Sequence, residues 1–151
     1  MSRKAVILGG GQCKWGVREA HFVDLFQEAA KACFDDIPGL KPKDVDGLIV
    51  ATSYAGRCSF QVNTAPVIAE RLGMKPTSIC TRCDTLCAGG STGMILAKSL
   101  VEAGNADIVC IAGGESSTCH RNGRSSTANS HRSITIGMGR TGWAFLHPSL
   151  P

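Results

Sequence analysis

A chain of 151 residues is long enough to bury one hydrophobic core. Its 43% apolar content, few aromatics and eighteen glycines point away from a disulfide scaffold or a fibre and toward a layered α/β unit. The net charge of +4 is unevenly placed: residues 1–115 hold twelve basic and twelve acidic side chains, whereas residues 116–151 hold Arg121, Arg124, Arg132 and Arg140 and no acid. The opening "MSRKAVILGGGQ" lacks the long apolar stretch and cleavage site of a secretory signal. No apolar run approaches the ~20 residues that would span a bilayer. Eight cysteines without an export signal are expected to be reduced thiols of a cytoplasmic protein. The arginines are neither interleaved with aromatics nor set on a helical face, so nucleic acid is not an expected partner.

In chain order, "AVILGGG" (5–11) reads as a buried strand ending in glycines. Phe22, Leu25, Phe26, Ala29, Ala30 and Cys33 then recur at helical spacing, and "DDIPGLKP" stops that helix. "VDGLIVATS" (45–53) is a second strand. "NTAPVIAERLG" is a short helix with Asn63 or Thr64 as N-cap and Gly73 as its stop. "TSICTRC" (77–83) is a third strand, residues 87–103 form a helix closed by Gly104, and "ADIVCIAGG" (106–114) is a fourth strand. Alternating strands and helices predict a layered α-β-α unit with a mostly parallel sheet. Past Gly114 the texture turns polar, basic and aperiodic, and "ITIGMGRTGWAFLHPSLP" is only weakly patterned. The expected division is therefore an α/β domain over 1–117 and the start of a loop-rich excursion over 118–151, with no internal repeat.

The densest chemistry lies in "CTRCDTLCAGGSTG" (80–93). Cys80, Cys83 and Cys87 have the spacing C-x2-C-x3-C, which suggests a metal knuckle, with Cys119 and His120 as conceivable further ligands. Strand alternation opposes it, because residues three apart in a strand point to opposite faces. A redox pair of the thioredoxin kind needs its first cysteine at a helix N-terminus, and Cys80 falls inside a strand. "GGSTG" and "ILGGGQ" are poor phosphate cradles, since neither carries the G-x-G-x-x-G spacing. The fourth reading makes Cys87 a nucleophile at a strand-to-helix turn, where free amides and the positive end of the helix dipole favour a thiolate. Gly89, Gly90 and Gly93 then clear side chains from the approach to the sulfur. Against it stands a bland alternative, a small buried hydrophobe. The residues alone leave these last two readings side by side.

The run "CAGGSTGMILAKSLVEAGNADIVCIAGGES" resembles the nucleophile segment of the thiolase superfamily. "KAVILGGGQCKWGVRE" and "DVDGLIVATS" are similar to the opening strands of its archaeal and sterol-carrier-type members. The resemblance covers essentially the whole chain and is strongest from Cys80 to Ser116. It implies an acyl-CoA acyltransferase in which Cys87 accepts the acyl group, with coenzyme A as substrate and no tightly bound cofactor or metal. It makes Gly89, Gly90, Arg121, Arg124, Arg132 and Arg140 candidates for binding substrate and the polyanionic end of CoA. It also implies a homodimer or tetramer joined through strand 77–83.

Two departures stand out. Gly89 occupies the place of the family's usual serine. Family members are more than twice as long, and their second half brings the catalytic histidine and the acid/base group. None of His21, His120, His131 and His147 matches such a position, so this chain alone is expected to be catalytically incomplete without that half or a companion subunit. Ketosynthases share the fold and the cysteine, but their nucleophile is usually followed by small hydroxyl residues. The alternatives from other classes are a non-catalytic thiolase-fold subunit that scaffolds a partner enzyme, and a small zinc module.

Overall fold

A computed structural model describes residues 3–14, 20–53 and 60–115, together with the backbone of 142–148. The elements are β1 (Ala5–Gln12), α1 (Phe22–Asp35), β2 (Gly47–Ala51), α2 (Thr64–Leu72), β3 (Ile79–Cys83), α3 (Gly89–Glu102), β4 (Val109–Gly113) and β5 (Gly142–Pro148). Among these residues no helix is long and apolar enough to cross a membrane. The expected division at residue 117 falls outside the described residues.

The five strands form one sheet in the order β1-β5-β4-β2-β3. β2 pairs in parallel with both β3 and β4, while β5 runs antiparallel between β4 and β1. Four of the five strands therefore point the same way, as the alternation of elements predicts. The β5 segment corrects the reading of the chain's end as weakly structured. "GWAFLHP" carries little local pattern, and its strand state comes from partners more than a hundred residues away at Ala5 and fewer than forty away at Val109.

Alternation sorts the apolar residues into two layers. Leu48 and Val50 of β2 with Cys110 and Ala112 of β4 face α1 and α2, packing against Phe22, Phe26, Ala30, Cys33 and Ile68. Ile49, Val109 and Ile111 face the other way, onto Ala97 and Val101 of α3. The result is the expected α-β-α sandwich. His21 begins α1 as its N-cap, its Nδ1 accepting from the Val23 amide while Asp24 accepts from the His21 amide. At Gly11 of β1 a Cβ would lie 2.6 Å from the Ala29 carbonyl oxygen and 2.7 Å from Cys33 Cα, so only glycine permits this approach to α1. Gly73 and Gly104 end α2 and α3 with φ of 70° and 76°, the left-handed conformation that glycine adopts without strain.

Candidate active site

The carboxyl ends of β2, β3 and β4 converge on one rim of the sheet. Thr52 and Ser53 follow β2, Asp84 follows β3, and Glu115 follows β4. Glu115 accepts hydrogen bonds from Thr52 Oγ1 at 3.3 Å and from the Ser53 amide. Ser53 Oγ donates in turn to Asp84 Oδ1 at 2.8 Å. Asp84 Oδ2 accepts from Arg82 Nη2 at 2.7 Å, and Arg82 Nε donates to the Thr52 carbonyl at 2.9 Å. This polar chain ties three strand ends together. The Ser53 hydroxyl, then the Leu86 amide and Arg82, hold the Asp84 carboxyl below the usual carboxylate range.

Cys87 lies on this rim. It sits in a separate 3-10 turn, Leu86–Ala88, and α3 begins only at Gly89. This moves the start of the helix from the expected residue 87. Residues 86–88 take the tighter 3-10 form, and Leu86, with a left-handed φ of 49°, turns the chain sharply at their start. Three contacts brace the turn. The Leu86 amide donates to Asp84 Oδ1 at 3.3 Å, the Thr85 and Thr92 hydroxyls meet at 2.9 Å, and the Cys83 thiol donates to the Gly89 carbonyl at 3.5 Å. Cys87 is exposed, Gly89 is buried beneath the turn, and Gly90 is half-buried.

The other thiols have different surroundings. Burial pushes the Cys33 thiol up to about 12, with the Asp36 carboxylate adding to it. Burial likewise raises Cys80, Cys83 and Cys110, the last most strongly. Cys80 packs with the layer of α1 and α2, whereas Cys83 packs with that of α3. Their opposite orientation is the one strand alternation predicts, and it parts the first two ligands of the knuckle. Among the described residues no group of three or more metal-binding side chains gathers.

Arg121, Arg124, Arg132 and Arg140, with Cys58, Cys119, His120 and His131, lie outside the described residues. The sequence reading missed Ser53, Arg82, Asp84 and Glu115. A local signal existed for one of them: an aspartate two residues before a turn amide, as in Asp84-Thr85-Leu86, is the pattern of an Asx turn. The Ser53–Asp84 contact spans 31 residues and has no local signal.

Known proteins share both sequence and fold with this chain. Residues 5–139 match the family described as the thiolase N-terminal domain. An acetyl-CoA acetyltransferase of Methanocaldococcus jannaschii is 34% identical over 117 residues, which are 77% of this chain and 29% of that one. A beta-ketoacyl-[acyl-carrier-protein] synthase III of Cereibacter sphaeroides is 35% identical over 107 residues, 66% of this chain and 32% of that one. The crystal structure of a 3-oxoacyl-[acyl-carrier-protein] synthase III from Aquifex aeolicus superposes with a TM-score of 0.75 at 16% identity, over 99% of this chain and 55% of that one. The chain thus spans about a third or less of the curated relatives it matches. Taken with the α-β-α sandwich and the cysteine turn at its rim, the match assigns the chain to the family of thiolase N-terminal domains.

Proposed function

We propose that this chain carries the nucleophile of an acyl-CoA acyltransferase, and that Cys87 is that nucleophile. The observation that supports the reading is the position of Cys87: an exposed thiol on a braced turn directly ahead of α3, inside the segment matched to the family. In thiolysis the Cys87 thiolate attacks the 3-oxo carbonyl of a 3-oxoacyl-CoA. The bond between C2 and C3 breaks, and its electron pair leaves as the enolate of acetyl-CoA, which takes a proton. The acyl group, now a thioester on Cys87, then passes to the thiol of a second CoA, and Cys87 regains its thiolate. Claisen condensation is the same sequence reversed. Gly89 and Gly90, having no side chains, leave room for the thioester.

The chain supplies part of this machinery. Stabilising the enolate and moving its proton fall to groups of a second half or companion subunit. Ile95 and Leu96 of α3, exposed at 65% and 41%, support a further unit packed on that helix. Arg121, Arg124, Arg132 and Arg140 are proposed to meet the ADP end of CoA. β3, at an edge of the sheet, is proposed to pair with its copy in a second chain. A thioester on a carrier protein in place of CoA is the second reading, favoured by the 35% identity to the Cereibacter synthase.

The test is acyl transfer to the chain itself. Incubation with acetyl-CoA or acetoacetyl-CoA, followed by peptide mass spectrometry, is expected to find the acetyl group on Cys87 and nowhere else. Steady thiolysis of acetoacetyl-CoA by the chain alone is expected to be undetectable, because general acid–base help is worth about 10²–10⁴-fold. Partial loss of an oxyanion hole costs a further ~10²–10³-fold. An unlabelled Cys87 under conditions that acylate a full-length thiolase would instead favour the scaffolding subunit. Robust turnover that survives Cys87→Ala would defeat the assignment of the nucleophile.

A further inference from the structure

Leu86 holds a left-handed backbone one residue before Cys87, a conformation that costs a side-chain-bearing residue free energy unless its surroundings impose it. Its side chain does not impose it, being 65% exposed. The Leu86 amide, in contrast, is held by Asp84 Oδ1 at 3.3 Å. That carboxylate is itself fixed from two other directions, by Ser53 Oγ at 2.8 Å and by Arg82 Nη2 at 2.7 Å. Arg82 in turn is anchored to backbone carbonyls at Thr52 and Val62. The Asp84 side chain therefore fastens the Leu86 amide to the ends of β2 and β3, beside the Thr85–Thr92 and Cys83–Gly89 contacts that also brace the turn.

We propose that Asp84 is the positioning residue for Cys87, imposing the left-handed Leu86 turn that sets the sulfur ahead of the α3 amides. The proposal rests on the reading of Cys87 as the acyl acceptor and adds how the fold aims it. Two physical effects of removing Asp84 have opposite signs. Losing its negative charge leaves Arg82 as an unbalanced positive charge near the turn, which by itself speeds reactions of an anionic nucleophile. Losing its hold on the Leu86 amide lets the turn relax and slows them. Positioning outweighs charge here, because the carboxylate charge is already countered by Arg82 at an exposed site.

The experiment follows alkylation of Cys87 by iodoacetamide, peptide by peptide, in the full chain and its variants. Asp84→Ala is expected to slow Cys87 about tenfold, the scale of one released backbone strain, while Cys83 labelling and the urea midpoint stay near those of the parent. Asp84→Asn keeps an acceptor for the Leu86 amide and is expected to label within about twofold of the parent. Leu86→Gly, free to adopt the left-handed turn unaided, is expected to restore the rate when combined with Asp84→Ala. That double variant also serves if Asp84→Ala alone does not fold. Unchanged or faster labelling of a folded Asp84→Ala, an Asn variant as slow as the Ala one, or no rescue by Leu86→Gly would each overturn the proposal. Alkylation needs no acyl-CoA, so Asp84-dependent labelling of a Cys87 that never accepts an acyl group supports the positioning and sinks only the acyl-transfer reading.

Discussion

Gly93 of α3 lies so close to Ile111 of β4 that a Cβ on it would sit 3.0 Å from Ile111 Cγ2, with Ile49 Cγ2 at 3.6 Å and Cys83 Sγ at 3.9 Å. This contact seats the first turns of α3 on the sheet and so sets the height of the Cys87 turn above it. Gly93→Val is expected to destabilise the protein by about 1–3 kcal/mol through overpacking. Gly93→Ala should cost less, because alanine gains about 1 kcal/mol of helix propensity over glycine. Urea unfolding of the two variants checks the order. A valine variant as stable as the parent would mean that α3 is not seated by this contact.

Cys87 is exposed, whereas Cys13, Cys33 and Cys110 are buried and Cys80 and Cys83 are half-buried with thiols raised by burial. Limited alkylation near neutral pH should therefore label Cys87 first among these six, and Cys33 and Cys110 only after unfolding. Time-resolved peptide mapping measures the order. Cys80 or Cys83 reacting ahead of Cys87 would contradict the exposed turn.

The raised Cys33 thiol links stability to alkaline pH. Its folded value of about 12 lies above the ordinary 9.0, so the folded state keeps a proton that the unfolded state releases. That contribution is complete below pH 9.0 and is lost as pH rises through the folded value. Unfolding midpoints should accordingly be insensitive to this group up to about pH 9 and fall above it. Cys33→Ala should lose stability overall yet show a shallower alkaline decline, with Cys110 accounting for part of what remains. An identical slope in the variant would exclude Cys33 as a source.

β3 has β2 on one side and no strand of the described residues on the other. If two copies pair about an axis through the middle of β3, their Thr81 residues come face to face. Thr81→Glu would then set like charges opposite each other, which is unfavourable in a sheet. Sedimentation should show a dimer that dissociates on this change, with the dissociation constant raised about tenfold per 1.4 kcal/mol of repulsion. A parent chain that sediments as a monomer, or a variant dimer as tight as the parent's, would count against edge pairing.

The spacing of residues by itself determined the helices and the four parallel strands, but not the surroundings of β1: expected to be buried, it is an edge strand with Val6, Ile7 and Leu8 exposed. Phe22, Phe26, Ala30 and Cys33 recur every three or four positions because helix geometry prints a short period onto neighbouring residues, whereas the unbroken apolar run Leu48-Ile49-Val50 is sorted into two faces only by the sheet. Gly73 and Gly104 mark helix ends for an equally local reason, their left-handed φ. The opposed faces of Cys80 and Cys83 follow from strand alternation. Tertiary structure alone decided the rest. β5 exists because Ala5 and Val109 offer it open edges, and no periodicity within seven residues records a partner that distant. The start of α3 lies at Gly89 and not at Cys87 because residues 86–88 form a 3-10 turn, whose Leu86 amide Asp84 holds. Asp84 is held in turn by Ser53, whose place beside it depends on β2 and β3 lying next to each other. Short-range sterics and periodicity are written in consecutive residues, but the long-range hydrogen bonds that aim Cys87 form only once the sheet has brought its strand ends together.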